Sequence, residues 1–90
     1  MNHIVYVTTN LLNGKKYVGV HSTVRIDDGY LGSGLLIRRA IAKYGKENFR
    51  REILQICENR EESLEREKFW IAELNTKNAG YNLTEGGLVS

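Results

Sequence analysis

The sequence predicts a small α+β domain in the order hairpin, loop, helix, strand, helix and tail. Three observations carry that prediction. Residues 3–11 (HIVYVTTNL) and 15–21 (KKYVGVH) are short runs rich in β-branched residues and tyrosine, and Asn13-Gly14 between them is a strong hairpin signal. Apolar residues in 35–45 and in 61–74 recur at helical spacing rather than in alternation. Between those two segments, FRREILQIC (49–57) reads as a further strand.

The hairpin sets a register. A two-residue type I′ turn at Asn13-Gly14 would place Leu12 opposite Lys15, Asn10 opposite Tyr17, Thr8 opposite Gly19 and Tyr6 opposite His21. Alternation then sorts two faces. Val5, Val7, Val18 and Val20, with Thr9, Leu11 and Lys16, make the expected core face. Ile4, Tyr6, Thr8, Asn10, Tyr17, Gly19 and His21 make the other, which reads as a polar, aromatic outer face whose glycine admits a close neighbour.

Residues 22–34, STVRIDDGYLGSG, read as a loop. In the following LLIRRAIAKYG, Ile37, Ala40, Ile41 and Tyr44 form one stripe, and Gly45 sits where a helix-ending glycine belongs. The strand 49–57 is apolar on both parities, as expected of a central or well-covered strand. The second helix should run from about Glu61 to Leu74, with Asn59 and Glu62 at capping-box spacing. The tail, NTKNAGYNLTEGGLVS, reads as irregular.

Composition narrows the function classes. The chain has 90 residues, 41% hydrophobic and 27% charged, which suits one globular domain with one small site. That size leaves no room for a cofactor domain beside a substrate domain. No segment approaches the roughly 20 apolar residues of a membrane span, and MNHIVYVTTN lacks the pattern of a secretory signal. The expectation is therefore an intracellular protein with no membrane partner. The single cysteine, Cys57, cannot form an internal bridge and suits an apolar filler in a reducing compartment.

Charge is uneven although its total is only +2. Residues 1–51 carry Lys15, Lys16, Arg25, Arg38, Arg39, Lys43, Lys46, Arg50 and Arg51 against Asp27, Asp28 and Glu47. The remaining residues are net acidic. A basic half of this kind is either a phosphate-binding face or solvated helix surface.

One residue stands out of pattern. Leu64, Ile71, Leu74 and Trp70 form the buried stripe of the second helix, and Glu67 falls inside it. A carboxylate there must be ion-paired, protonated or metal-bound. One carboxylate suits Mg²⁺ or Mn²⁺, whose remaining positions are filled by water and substrate phosphate. The two histidines and one cysteine make no zinc spacing, and GYLGSG at 29–34 lacks the Lys-Ser/Thr of a phosphate loop.

At this point the sequence resembles a known family. Ile4-Val5-Tyr6, then TNLLNGKK, then Tyr17-Val18-Gly19 is similar to the paired half-motifs of GIY-YIG nucleases, with isoleucine at the name-giving glycine. AIAKYGKENFRREIL (40–54), LEREKFWIAELNT (64–76) and GYN (80–82) extend the likeness in order and spacing. GVHSTVRIDDGYLGSG resembles the phage-borne, Seg-type free-standing homing endonucleases.

The resemblance implies a three-stranded antiparallel sheet, the hairpin plus a third strand, flanked by helices. It implies a divalent-metal-dependent DNA endonuclease of phage or mobile-element homing type, with one Mg²⁺ or Mn²⁺ per site held by Glu67. Tyr6 and Tyr17 would line the attacking water, and Asn82 would stand near the centre. Where many members carry an arginine, this chain has Asp27, and the histidine a turn further on is replaced by Leu31 and Gly32. His21 and Arg25 are the candidates for those duties, with Arg38 or Arg39 as helix arginines that reach in. Lys15, Lys16, Arg38, Arg39 and Lys43 would receive the DNA backbone. The nuclease domain would occupy residues 1–90 with no separate DNA-targeting domain. It would act in the cytoplasm of a bacterial host, as a homodimer if both strands are cut. The alternatives are a catalytically degenerate module that only binds nucleic acid, and a protein-interaction domain.

Overall fold

A computed structural model describes residues 1–86. Three antiparallel strands, β1 (Asn2–Asn10), β2 (Lys16–Thr23) and β3 (Phe49–Cys57), form one sheet in the order β2-β1-β3. Helix α1 (Leu35–Tyr44) follows the hairpin and the long loop. A single 3-10 turn (Lys46–Asn48) leads from it into β3. Helices α2 (Arg60–Leu74) and α3 (Thr76–Ala79) close the described chain. This is the predicted α+β sheet flanked by helices.

The expected two-residue turn is not what the chain forms. The strands are joined by the five residues 11–15, and the register moves by two: Tyr6 lies opposite Gly19 and Thr8 opposite Tyr17. The cause is local. Asn10 Oδ1 accepts from the Leu12 N–H at 2.9 Å, and Asn13 Oδ1 accepts from the Lys15 N–H at 2.9 Å. Each asparagine thus satisfies a loop amide two residues on. Only Gly14, at φ 78°, takes the left-handed conformation, so the turn needs one positive φ and not two. A shift of two leaves parity unchanged, so the assignment of residues to the two faces survives.

The face expected to be outer is in fact covered. Ile4, Tyr6, Thr8 and Asn10 are all buried. The reason is position: β1, and not β3, is the central strand, and α1 with the 24–34 loop lies over this face. Buried polar groups there are paired, as burial demands. Thr8 Oγ1 donates to the Leu31 carbonyl at 2.7 Å, and Asn10 Nδ2 donates to the Tyr81 hydroxyl at 3.1 Å. Ile37, Ala40 and Phe49 are the buried centre of this layer.

The opposite face carries α2. Val5, Val7, Val18, Cys57 and Ile71 form its buried cluster, with Val20, Leu54, Trp70 and Leu74 packed against it. Strand β3 has a bulge opposite Val5 and Tyr6, where Gln55 pairs with Val5 and Ile53 with Tyr6. The extra residue, Leu54, is why the strand looks apolar on both parities. It is an edge strand, and Ile56 on it is 61% exposed. Asn59 caps α2 as predicted, its Oδ1 accepting from the Glu62 N–H at 2.8 Å. The reciprocal bond runs one residue earlier than a standard box, from the Glu58 N–H to Glu62 Oε1 at 2.9 Å. The tail is not wholly irregular, since α3 forms inside it, and residues 87–90 of that predicted tail lie outside the described residues. Cys57 is free and buried, and burial pushes its thiol pKa up, as befits a filler.

Candidate active site

The cleft opens beside the outer strand of the hairpin. It encloses about 450 Å³ and is lined by Tyr6, Tyr17, Val20, His21, Ser22, Tyr30, Ser33, Arg60 and Glu67. Four parts of the chain meet there: β1, β2, the 24–34 loop and α2.

Tyr6 projects from the central strand and is 1% exposed. Its ring lies over Gly19, where a Cβ would run into the Tyr6 hydroxyl. The glycine is therefore required by the tyrosine itself. Tyr17 and Tyr30 stand around it, with ring centroids 6.2 and 5.9 Å away. Burial pushes the Tyr6 phenol well above the usual tyrosine value, and Tyr17 and Tyr30 add to the rise. Tyr6 is thus a neutral hydrogen-bonding phenol at any ordinary pH.

Tyr17 is also raised, first by burial and then by the negative charge of Glu67, while a backbone hydrogen bond at Gly34 opposes the rise. Glu67 is half-buried on α2, at the side of the helix that faces this opening. The out-of-pattern carboxylate is therefore not sealed in the core. The stripe of Ile71, Trp70 and Leu74 packs on the sheet, and Glu67 marks where that contact ends and the cleft begins.

His21 belongs to a small network. Its Nε2 lies 2.7 Å from Asp28 Oδ2, and its ring stacks on Tyr30 with centroids 4.0 Å apart and planes 10° apart. An ionised carboxylate only accepts, so Nε2 carries the proton in that bond. The hydrogen bonds from His21 and from the Tyr30 N–H hold the Asp28 carboxyl well below the usual carboxylate range. Arg51 donates to Asp28 Oδ1 at 3.2 Å and to the Ile26 carbonyl, and its guanidinium sits 5.7 Å from the Tyr6 ring centre.

The other predicted residues fall in different places. Asn82 is buried beside the site with its amide fully committed: Oδ1 accepts from the Val18 N–H and Nδ2 donates to the Val18 carbonyl, both at 2.8 Å. It thereby occupies the outer edge of β2. Arg25 is not in the cleft. Its side chain is 75% exposed and pairs with Asp27 at 3.7 Å. Lys15, Arg39 and Lys43 come together with Asn13, Tyr44 and Tyr81 around a second groove of about 230 Å³. Arg38 is exposed on α1 outside that groove, and Lys16 contributes its carbonyl, which accepts from the Tyr81 N–H at 2.8 Å. Between groove and cleft lies a third hollow of about 260 Å³, which shares Tyr81 with the groove and Tyr17 and Glu67 with the cleft.

Tyr30, Asp28, Arg51 and Arg60 were not singled out by the sequence as parts of the site. Asp28 and Tyr30 sit in a loop with no periodicity to mark them. Arg60 had one available signal: it lies seven residues before Glu67, two helical turns along nearly the same face.

The donors fit a hard divalent cation. The cleft offers one carboxylate, that of Glu67, and tyrosine and serine hydroxyls elsewhere in its lining. No group of three or more His, Cys, Asp or Glu able to hold a metal occurs among the described residues. An ion here would therefore rest on one carboxylate, with water and phosphate supplying the rest.

The chain is similar to known proteins over nearly its whole length. The chain is 49% identical over 89 residues to segE of Enterobacteria phage T4, covering 98% of this chain and 43% of that protein. It is 45% identical over 84 residues to the endonuclease segA of the same phage, covering 91% and 38%. The chain thus spans about two fifths of the length of these curated relatives. Among solved structures, the catalytic domain of the homing endonuclease I-TevI superposes with a TM-score of 0.70 at 33% identity, covering 91% of this chain and 98% of that one. A variant of that catalytic domain gives 0.75 at 28% identity, covering 99% and 100%. The GIY-YIG catalytic domain matches residues 2–82, and the chain belongs to that family.

Proposed function

We propose that this chain is a DNA endonuclease of the phage homing type that hydrolyses phosphodiester bonds with the help of one Mg²⁺ or Mn²⁺. The observation that carries this reading is the meeting of Tyr6, Tyr17 and Glu67, from three separate elements, in one open cleft of a GIY-YIG domain. Similarity to the endonuclease segA and to the catalytic domain of the homing endonuclease I-TevI supports the activity.

Glu67 would hold the ion, with Tyr17 and the serine hydroxyls around it. When bound, the ion supplies Lewis-acid polarisation of the scissile phosphate. The chain's own residues do the rest. Tyr6 and Tyr17, as neutral phenols, align a water for in-line attack. His21, whose Nε2–H is given to Asp28, keeps a lone pair at Nδ1 that takes the water's proton. The new phosphorus–oxygen bond forms as the bond to the 3′ oxygen breaks, and that oxygen leaves with a proton from solvent. The products are a 5′-phosphate and a 3′-hydroxyl. The succession of groove, hollow and cleft gives the strand a route in which Lys15, Arg39 and Lys43 contact phosphates away from the reacting centre.

One such site cuts one strand per engagement, so a double-strand break needs a second copy or a second visit. No helix among the described residues is long and apolar enough to cross a membrane, which is compatible with action in the cytoplasm of a bacterial host.

The test is nicking of supercoiled plasmid in Mg²⁺, in Mn²⁺ and in EDTA, by the parent chain and by Glu67→Gln. The expected result is nicking by the parent only, and only with an ion, while Glu67→Gln still retards DNA. Equal nicking by Glu67→Gln removes the metal role. Retardation without nicking by the parent in either ion would leave a binding module.

A further inference from the structure

Hydrolysis of a phosphodiester builds negative charge on the phosphate, and a cation held beside it offsets that charge. The candidates can be separated by what holds each one. Arg25 is turned to solvent against Asp27. Arg51 is only 10% exposed and is spent on Asp28 and the Ile26 carbonyl behind Tyr6. Arg39 lines the separate basic groove, and Arg38 lines neither the groove nor the cleft. Arg60 is different. Among the described residues it is the one Lys or Arg that lines the cleft, together with Tyr6, Tyr17 and His21.

The acids around it are engaged elsewhere. Asp27, Asp28 and Glu85 form their ion pairs with residues other than Arg60. Of the adjacent acids on α2, Glu62 is occupied by the Glu58 N–H, and Glu61 is exposed and does not line the cleft. Position is favourable too. Arg60 opens α2 and Glu67 lies seven residues on, which is about 10 Å along the axis and about 20° around it. Both side chains border one space, so a phosphate that runs along α2 meets a cation at one end and a carboxylate, with any ion it holds, two turns on.

We propose that Arg60 is the catalytic cation of this nuclease, contacting the scissile phosphate and offsetting the charge that builds as water adds to phosphorus. This rests on the nuclease reading above. Arginine suits the task because its planar fork of donors matches two phosphate oxygens and stays charged at all working pH values.

The experiment compares single-turnover cleavage of duplex DNA by the parent, Arg60→Ala, Arg60→Lys and Glu67→Gln, with DNA affinity measured in Ca²⁺. Arg60→Ala should lose rate by roughly 100- to 1000-fold, as for removal of one donor to a transition-state oxyanion. Its DNA affinity should change by no more than about threefold, because only one phosphate contact goes. Arg60→Lys should recover part of the rate. Added guanidinium chloride at millimolar concentration should restore part of the rate to Arg60→Ala and none to Glu67→Gln, a readout that a merely structural role would not move. A rate within about threefold of the parent for Arg60→Ala overturns the assignment and leaves the nuclease reading intact. A loss of rate matched by a loss of affinity, and not restored by guanidinium, makes Arg60 a binding residue and also overturns it. A parent that cleaves nothing in Mg²⁺ or Mn²⁺ overturns both.

Discussion

Asn82→Ala should destabilise the domain far more than a surface substitution. Strand β2 is a sheet edge, and its outward amides and carbonyls need partners where they are buried. The Tyr81 N–H satisfies the Lys16 carbonyl, and the Asn82 side chain satisfies both groups of Val18, which is fully buried. Truncation removes two hydrogen bonds of 2.8 Å and leaves one N–H and one C=O without a partner. Each orphaned group costs about 1–3 kcal/mol. Some water will reach the gap, so the expected total is about 2–4 kcal/mol. A domain of this length has only about 5–13 kcal/mol to lose. In thermal unfolding the shift should be a fall of about 10–25 °C. Urea denaturation followed by circular dichroism gives the same quantity directly, and the slope with denaturant should not change. Asn82→Asp should keep the bond from the Val18 N–H but set its other oxygen against the Val18 carbonyl, so it should fall between parent and alanine at neutral pH. A loss below about 0.5 kcal/mol for Asn82→Ala would show that water or the tail backbone replaces the amide without cost, and the edge-closing role would be wrong.

Gly19→Ala should fail for lack of space, because its Cβ meets both Tyr6 and Tyr17; the expected loss is about 1–3 kcal/mol by denaturation, together with loss of nicking as both phenols move. Asp28→Asn removes the carboxylate that orients His21. Because the folded-state pKa of Asp28 lies below its ordinary 3.8, its stabilising effect is complete above that value and fades as pH falls through the lower, folded one. Parent and variant melting temperatures should therefore differ at neutral pH and converge in strong acid, and a constant difference would refute the linkage. Alanine at Lys15, Arg39 and Lys43 together should weaken binding to all DNA sequences alike. It should also make the slope of log affinity against log salt shallower by about 0.9 for each phosphate contact removed; an unchanged slope in titrations across salt would show that the groove carries no DNA.

Several residues of the site were legible because their signals are local or periodic. Glu67 interrupts an apolar helical stripe, and the same stripe places it on the sheet-facing side of α2. Tyr6 and Tyr17 keep the same parity under the predicted and observed registers, since the two differ by an even number. Arg25 misled because closeness in sequence to His21 says nothing of direction in an aperiodic loop. Arg60 and the Asp28–His21–Tyr30 network depend on how the loop and the start of α2 settle against β2, contacts that no spacing rule reports.

By itself the sequence determined the three strands and the two longer helices, the Asn59 cap, the two faces of the hairpin and the family, because each rests on hydrogen bonds and side-chain periods within a few residues or on motifs in fixed order. Tertiary structure alone decided the rest. It made β1 the central strand, lengthened the turn to suit Asn10 and Asn13, and buried the face that reads as polar. It turned Asn82 into the closure of a sheet edge and brought Arg60 to the cleft. These outcomes share one physical reason: burial and pairing are satisfied between residues far apart in the chain, and the sum over the whole fold, not any local preference, selects among the arrangements that local chemistry permits.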